Sequence, residues 1–258
     1  MYNIPDLSFF VYRQVKEKED NYCWIECINQ IRRFYKNEPI FLIDDYDRND
    51  DVCIQFDGKL NINIHIIKVL EKDIHLKGRG ELLCFHYYLK LKPSKKAIFL
   101  QDNLFILKMF DEDLIKMSDV KFINGFIDNE EFNKSLVNNL ILDLKEGEEI
   151  LKYKYKFNWI GCYGGCCLIS LEYLKYLENR YNFSILLTEV KSKIMREVFE
   201  RVFGLLITYD KNGFSNISFY GLKGNNSYDL NKYSNEKDKM IAEEIPYFNF
   251  HFHQLKYS

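Results

Sequence analysis

No stretch of this 258-residue sequence approaches the ~20 consecutive apolar residues that a membrane-spanning helix requires. Residues 1–6 contain no basic segment leading into an apolar run, so no secretory signal is expected and a cytoplasmic location follows. Neither sign of charge dominates: 36 basic residues stand against 38 acidic ones, a net charge of -2. That balance gives no electrostatic reason to expect nucleic acid as a partner. Seven cysteines occur but no CxxC pair, so the spacing of a zinc knuckle is missing. Their odd number and apolar settings suit buried free thiols in a reducing compartment. A P-loop and the local signatures of serine-triad or cysteine nucleophiles are also absent. Alanine is nearly absent, with only Ala97 and Ala242; this is the bias of AT-rich coding and carries no functional meaning.

What is present is ample apolar material, 47% of the chain, enough for a sizeable core and for one large α/β domain over residues 1–258. The first hundred residues alternate strand and helix. Residues 7–12 form a short apolar run with aromatic and β-branched members, read as a buried strand. Trp24, Ile28, Ile31 and Tyr35 then recur at helical spacing, with Asp20 or Asn21 suited to cap the helix. Pro39 blocks continuation, and a second strand over 40–43 ends at Asp44 and Asp45. Residues 62–69 read as a third strand. Gly78-Arg79-Gly80 opens a helix reaching Leu91, and a fourth strand, 97–100, ends in Gln101-Asp102-Asn103.

Strands separated by single helices pair in parallel through right-handed crossovers. Ligands in such sheets bind beyond the carboxyl ends of the strands. Arg13, Asp44, Asp45 and Asp102 all fall there. The second half is less regular. Helices are expected over 133–144, from Leu171 to Tyr181, and as one long element from 186 to 206. Residues 157–160 are apolar and enter the turn Gly161-Cys162-Tyr163-Gly164-Gly165. Asn212-Gly213 signals a turn, residues 224–239 an exposed loop, and 247–255 a final strand.

The order of these features, with Gly78-Arg79-Gly80-Glu81-Leu82-Leu83 ahead of the apolar strand before Asp102, resembles the GT-A glycosyltransferases, which use nucleotide-diphosphate sugars. It resembles in particular the small glycosyltransferase-like proteins of large DNA viruses and some bacteria. The resemblance covers residues 7–107, with further agreement around Trp159 to Cys167 and Arg196 to Gly204. It implies a Rossmann-like, mostly parallel sheet flanked by helices, with a nucleotide-sugar-binding half (1–107) and a more irregular acceptor-binding half (108–258). It also implies transfer of a sugar from a UDP or GDP donor to a hydroxyl acceptor such as a glycan, with inversion.

The family places Asp-x-Asp after the fourth strand to hold Mn²⁺ or Mg²⁺ against the diphosphate. Here the triplet is Gln101-Asp102-Asn103, so Asp102 and the Asn103 amide oxygen are the candidate cation ligands, and metal dependence is open to being weaker or absent. Asp44 and Asp45 match acids that meet the nucleoside. Arg79, flanked by glycines at a helix start, matches a basic residue facing base or phosphate. Arg13 is either a phosphate contact or a surface arginine. Trp159, Gly164 and Gly165 correspond to a turn lining sugar and acceptor, where a tryptophan stacks on a sugar ring and glycines admit close approach.

Arg196, Glu197, Glu200 and Arg201 form a helical R-x-x-x-E-R signature. Glu189, Lys193, Arg196 and Glu200 share its polar face and Arg201 lies against the apolar stripe, making Glu200 the candidate base and Arg196 a sugar or acceptor contact. The plain alternative is a pair of i, i+4 ion pairs. His251 and His253 share one face of a strand, and His253 is a candidate further metal ligand. Two rivals stay open: a nucleotidyltransferase or nucleotide-sugar hydrolase on a related sheet, and a non-catalytic nucleotide-sugar-binding module, which the altered triplet favours.

Overall fold

A computed structural model describes residues 5–13, 15, 21–44, 63–69, 78–127, 132–213 and 217, with the backbone alone of 227–228 and 247–250. The first half folds as its pattern dictates. Strand β1 (Leu7–Arg13), helix α1 (Asn21–Phe34), β2 (Ile40–Asp44), β3 (Ile64–Lys68), α2 (Leu82–Leu91) and β4 (Lys96–Gln101) follow in order. The strands pair β3-β2-β1-β4, all parallel. The register sets Arg13 opposite Asp44 and Tyr12 opposite Gln101, so the carboxyl ends of β1, β2 and β4 come level.

Because successive strand residues point to opposite faces, β1 divides its side chains between two cores. Phe9 and Val11 join Trp24, Ile28 and Ile31 of α1; Phe10 and Tyr12 join α2 and the later helices on the other face. Burial on both faces explains why β2 is apolar up to its final acid. Asn21 begins α1 but its Oδ1 accepts from Trp24 Nε1 at 2.8 Å; Asp20, the other expected cap, lies outside the described residues. Helix α2 stops where Lys92 turns left-handed, φ 52°, just before Pro93.

The second half contributes β5 (Leu104–Ile106), α3 (Glu112–Met117), β6 (Val120–Phe122), β7 (Gly125–Phe126), α4 (Lys134–Leu142), α5 (Gly147–Lys154), β8 (Gly161–Cys162), β9 (Cys167–Ser170), α6 (Leu171–Tyr181), α7 (Leu186–Glu189) and α8 (Lys193–Asp210). Strand β9 runs antiparallel to both β4 and β6 and completes a six-stranded sheet, β3-β2-β1-β4-β9-β6. The molecule is thus α/β with a mostly parallel sheet flanked by helices. The backbone strands β10 (Ser227–Tyr228) and β11 (Tyr247–Phe250) extend β5, with β11 antiparallel to it.

Three features differ from the sequence pattern. The single helix over 186–206 is broken, because Val190 leaves helical geometry and Ser192 caps a new start, its Oγ accepting from Met195 N at 3.3 Å. The apolar run 157–160 is irregular and leads into the two residues of β8, which pair with β7, and Phe157 is left exposed. Helix α5 was not expected, although Glu148 and Glu149 in its first turn and Lys152 and Lys154 in its last match the helix dipole. Of the expected 247–255 strand, residues 251–255 lie outside the described part.

Candidate active site

A cleft of about 530 Å³ opens at the carboxyl ends of β1 and β4, where a parallel sheet exposes its ligand site. Tyr12 comes from β1, and Gln101, Asp102 and Asn103 from the end of β4 and the turn that follows; Glu81 stands just before α2. The opposite wall is α8, whose Lys193, Arg196, Glu197, Glu200 and Arg201 all line the cleft. Their spacing of three and four residues puts them on one helical face. Phe126, Ile127 and Tyr163 close the sides. Carboxylates and cations therefore share one space, suited to an anionic ligand that also exchanges a proton.

The floor of the cleft is a connected set of contacts. Gln101 Nε2 donates to Glu81 Oε1 at 2.6 Å. The Gln101 amide lies against Gly164, where an added Cβ would meet its atoms at 2.5–2.8 Å. Gly164 has φ +60°, a conformation open to glycine with little penalty. Its N–H donates to Glu200 Oε1 at 2.7 Å. Asp102 is anchored through its backbone, with its N–H donating to the Tyr12 carbonyl at 3.1 Å.

Glu200 is nearly buried. Burial pushes its carboxyl up to about 8, and the Glu81 charge adds to the rise; the Gly164 N–H and the Arg201 charge oppose it. On the same helix, Arg196 reaches over the strand ends: Nη1 donates to Tyr12 Oη at 3.3 Å, and its side chain lies against Gly80, where an added Cβ would collide with it. Arg201 is set between rings, 4.1 Å from the centroid of Phe132 and 5.1 Å from that of Phe126, and Nη1 donates to the Glu197 carbonyl.

The structure brings Asp102, Asn103, Arg196 and Glu200 together and places other candidates elsewhere. Arg13 and Asp44 form an ion pair at 2.6 Å with exposures of 2% and 5%. Arg13 Nε donates to the same oxygen, and its guanidinium lies 4.8 Å over Trp24. That pair sits on the α1 face of the sheet, outside the lining of the cleft. Arg79 turns to the Leu187 carbonyl, 2.7 Å from Nε. Trp159 packs part-buried against the core, and Gly165, φ +61°, abuts Phe85 and Phe199. Glu189 belongs to α7, so it leaves the polar face of α8 that was expected to include it. Asp45, His251 and His253 lie outside the described residues.

Tyr12, Glu81 and Tyr163 line the cleft without having been candidates, and Lys193 and Glu197, placed in the helical signature but given no role, line it too. Strand alternation beside Arg13 and the polar face of α8 were the available signals. The described cysteines are buried and unbridged; burial pushes the Cys27, Cys162 and Cys166 thiols well up, the opposite of what a nucleophilic thiolate needs.

Asn103 Oδ1 is buried with no hydrogen-bond partner among the described residues, next in sequence to the Asp102 carboxylate. Among the described residues no group of three acids, histidines or cysteines is placed to hold a metal by itself. Mg²⁺ and Mn²⁺ at nucleotide sites use one or two side-chain oxygens plus phosphate oxygens and water, so Asp102 and Asn103 fit such an ion only together with a phosphate ligand.

No family model matches the sequence, and no curated protein matches it. Among solved structures, the mannosyltransferase Ktr4p from S. cerevisiae is 10% identical, with a TM-score of 0.41, covering 75% of this chain and 62% of that one. Core-mannan synthase A from Aspergillus fumigatus, in its Mn/GDP form, is 10% identical with a TM-score of 0.45 over 77% of this chain and 69% of that one. S. aureus TarS 1–349 in complex with UDP is 15% identical with a TM-score of 0.44 over 75% and 53%. The chain thus spans less than two thirds of the first and third of these.

Proposed function

We propose that this chain is a glycosyltransferase of GT-A type that moves a sugar from a UDP- or GDP-linked donor to a hydroxyl acceptor, a glycan being the natural class. The observation that carries it is the cleft itself: a nearly buried carboxylic acid, Glu200, faces the β4 strand end and its Asp102 in a space that also holds Lys193, Arg196 and Arg201. The cations suit a diphosphate, and Arg196 offers a planar fork for its oxygens. A divalent cation held by Asp102 and Asn103 would supply charge neutralisation to the departing diphosphate.

In the inverting reaction, the acceptor oxygen bonds to the anomeric carbon as the bond from that carbon to the diphosphate oxygen breaks. The diphosphate leaves with the bonding pair, and the acceptor proton passes to the Glu200 carboxylate. Glu200 must be ionised to take it, so its base form gains population as the pH rises toward 8. Gly164 N–H fixes one carboxyl oxygen, which orients the other. The Arg13–Asp44 pair supports the strand ends from the far face of the sheet. Tyr163 and Phe126 bound the acceptor side, and Trp159 and Gly165 shape it from behind.

Titration calorimetry of the full chain with UDP and GDP, with and without Mn²⁺, tests this. The expected result is binding strengthened by Mn²⁺ in the wild type, with the Mn²⁺ effect lost in Asp102→Asn while the unfolding transition is retained. Absence of nucleotide binding would sink the proposal. Binding with no nucleotide diphosphate released on any hydroxyl acceptor would favour the non-catalytic module, for which the Gln101 substitution in the triplet is the supporting observation.

A further inference from the structure

Lysine and aromatic residues alternate through Lys152-Tyr153-Lys154-Tyr155-Lys156-Phe157, and residues 150–159 contain no acid. This run forms the last turn of α5 and the bend beyond it. Two large side chains there face solvent, Tyr155 at 56% and Phe157 at 57% exposure. Helix α4 adds Lys134 to the same corner, which makes four lysines on a chain whose net charge is -2. The acids of α5, Glu148 and Glu149, occupy its first turn, the end away from the run.

The corner is built rather than frayed. Asn138 Nδ2 donates to Tyr155 Oη at 2.8 Å, and Lys154 Nζ donates to Asn138 Oδ1 at 3.1 Å. The ammonium groups of Lys154 and Lys134 lie 4.9 and 5.6 Å from the Tyr155 ring centroid. The Phe157 ring rests on Tyr153, centroids 4.7 Å apart, and its backbone N–H donates to the Tyr153 carbonyl. Exposed apolar rings held beside fixed lysines are the chemistry of a surface that meets lipid headgroups: the ammonium groups pair with anionic heads, and the rings enter the headgroup–acyl boundary.

We propose that the α4–α5 corner docks on an anionic lipid surface. Charge complementarity carries the choice of a polyanionic partner. Lipid is favoured over nucleic acid because the ammonium groups already lie over the Tyr155 ring, where a base would have to stack. The same segments lead into the cleft wall. Phe132, which carries Arg201, precedes α4, and Gly161, four residues beyond Phe157, packs under Phe126. Docking stands apart from the transferase chemistry, and either can fail without the other.

The test is sedimentation of the full chain with phosphatidylcholine vesicles containing phosphatidylserine, and with phosphatidylcholine vesicles alone. Binding is expected only to the former, weakening as salt is raised. Each lysine near such a surface contributes about fivefold in affinity, so Lys152→Gln, Lys154→Gln and Lys156→Gln together are expected to weaken binding about 100-fold. Phe157→Ala, with every lysine retained, is expected to weaken binding to anionic vesicles further at high salt than at low. Thermal unfolding of each variant verifies the fold, and the pair Lys152→Gln with Lys156→Gln spares the Lys154–Asn138 contact if the triple variant unfolds. No binding to anionic vesicles, or undiminished binding by the lysine variants, overturns the proposal. Binding of polyuridylate under conditions where vesicles do not bind overturns it in favour of a nucleic-acid surface.

Discussion

Glu200→Gln separates a buried neutral acid from an ordinary surface carboxylate. In the folded chain Glu200 holds its proton up to about 8, against 4.5 for an unperturbed glutamate. Between those values the folded state binds one proton more than the unfolded chain. Stability gained from that proton is fully present below pH 4.5 and is lost as the pH rises, by about 1.4 kcal/mol per pH unit, levelling off above pH 8. Across the whole window the loss is about 5 kcal/mol, an order-of-magnitude figure. Glutamine cannot ionise, yet its Oε1 can still accept the Gly164 N–H. The variant should match the wild type near pH 5 and become progressively more stable than it toward pH 9. Urea unfolding at one-unit intervals, with m-values compared so that the denatured states stay equivalent, measures the divergence. Because other titrating groups are common to both proteins, they cancel in the difference. Parallel pH curves for the two proteins would refute the reasoning: Glu200 would then be ionised throughout, and burial beside Glu81 would not set its proton affinity.

Two further substitutions examine the supports of the cleft. Gly164→Ala places a methyl group 2.5–2.8 Å from the Gln101 amide at φ +60°, so it should cost about 2 kcal/mol from backbone strain and weaken nucleotide binding as Gln101 shifts; denaturant midpoints and calorimetry measure the two effects. Asp44→Asn removes the carboxylate that pairs with Arg13, 2% exposed, and should destabilise by about 3–5 kcal/mol. Combining it with Arg13→Met should recover part of that loss in a double-mutant cycle; a single variant as stable as wild type would show that the pair contributes nothing.

Much of the first half was legible in the sequence, because strands and helices there alternate cleanly and each strand ends in a polar residue. Which polar residue faces the cleft was less legible. Arg13 draws attention as a charge at a strand end, but strand alternation sends it to the α1 face and leaves Tyr12 in the cleft. Likewise Arg79 stands out between two glycines, while Glu81, two residues on, is the one that faces the cleft. Both differences are choices of face, fixed by packing on elements distant in sequence. In the second half, β9 escapes because three apolar residues and a serine carry no periodicity that separates a strand from the helix immediately following. Its antiparallel pairing with β4 is a long-range fact that no local pattern encodes.

Gln101 acquires a physical meaning from this arrangement. In the Gln101-Asp102-Asn103 triplet it stands where the resemblance leads one to expect an acid, and on sequence alone that looks like a loss. Its Nε2, however, lies 2.6 Å from a Glu81 carboxyl oxygen, and a carboxylate at 101 would bring two like charges to that distance, where both cannot ionise together. Glu81 also helps to hold the proton on Glu200, so a further charge on this floor would oppose the proton loss that a base requires. An amide resolves the conflict by donating to Glu81, and Gly164 leaves the room it needs. The cleft keeps an acid close to the position the motif assigns, but supplies it from the segment preceding α2 instead of from β4. The altered triplet is therefore no sufficient sign of lost function, because residue 101 and residue 81 have to be read as one unit.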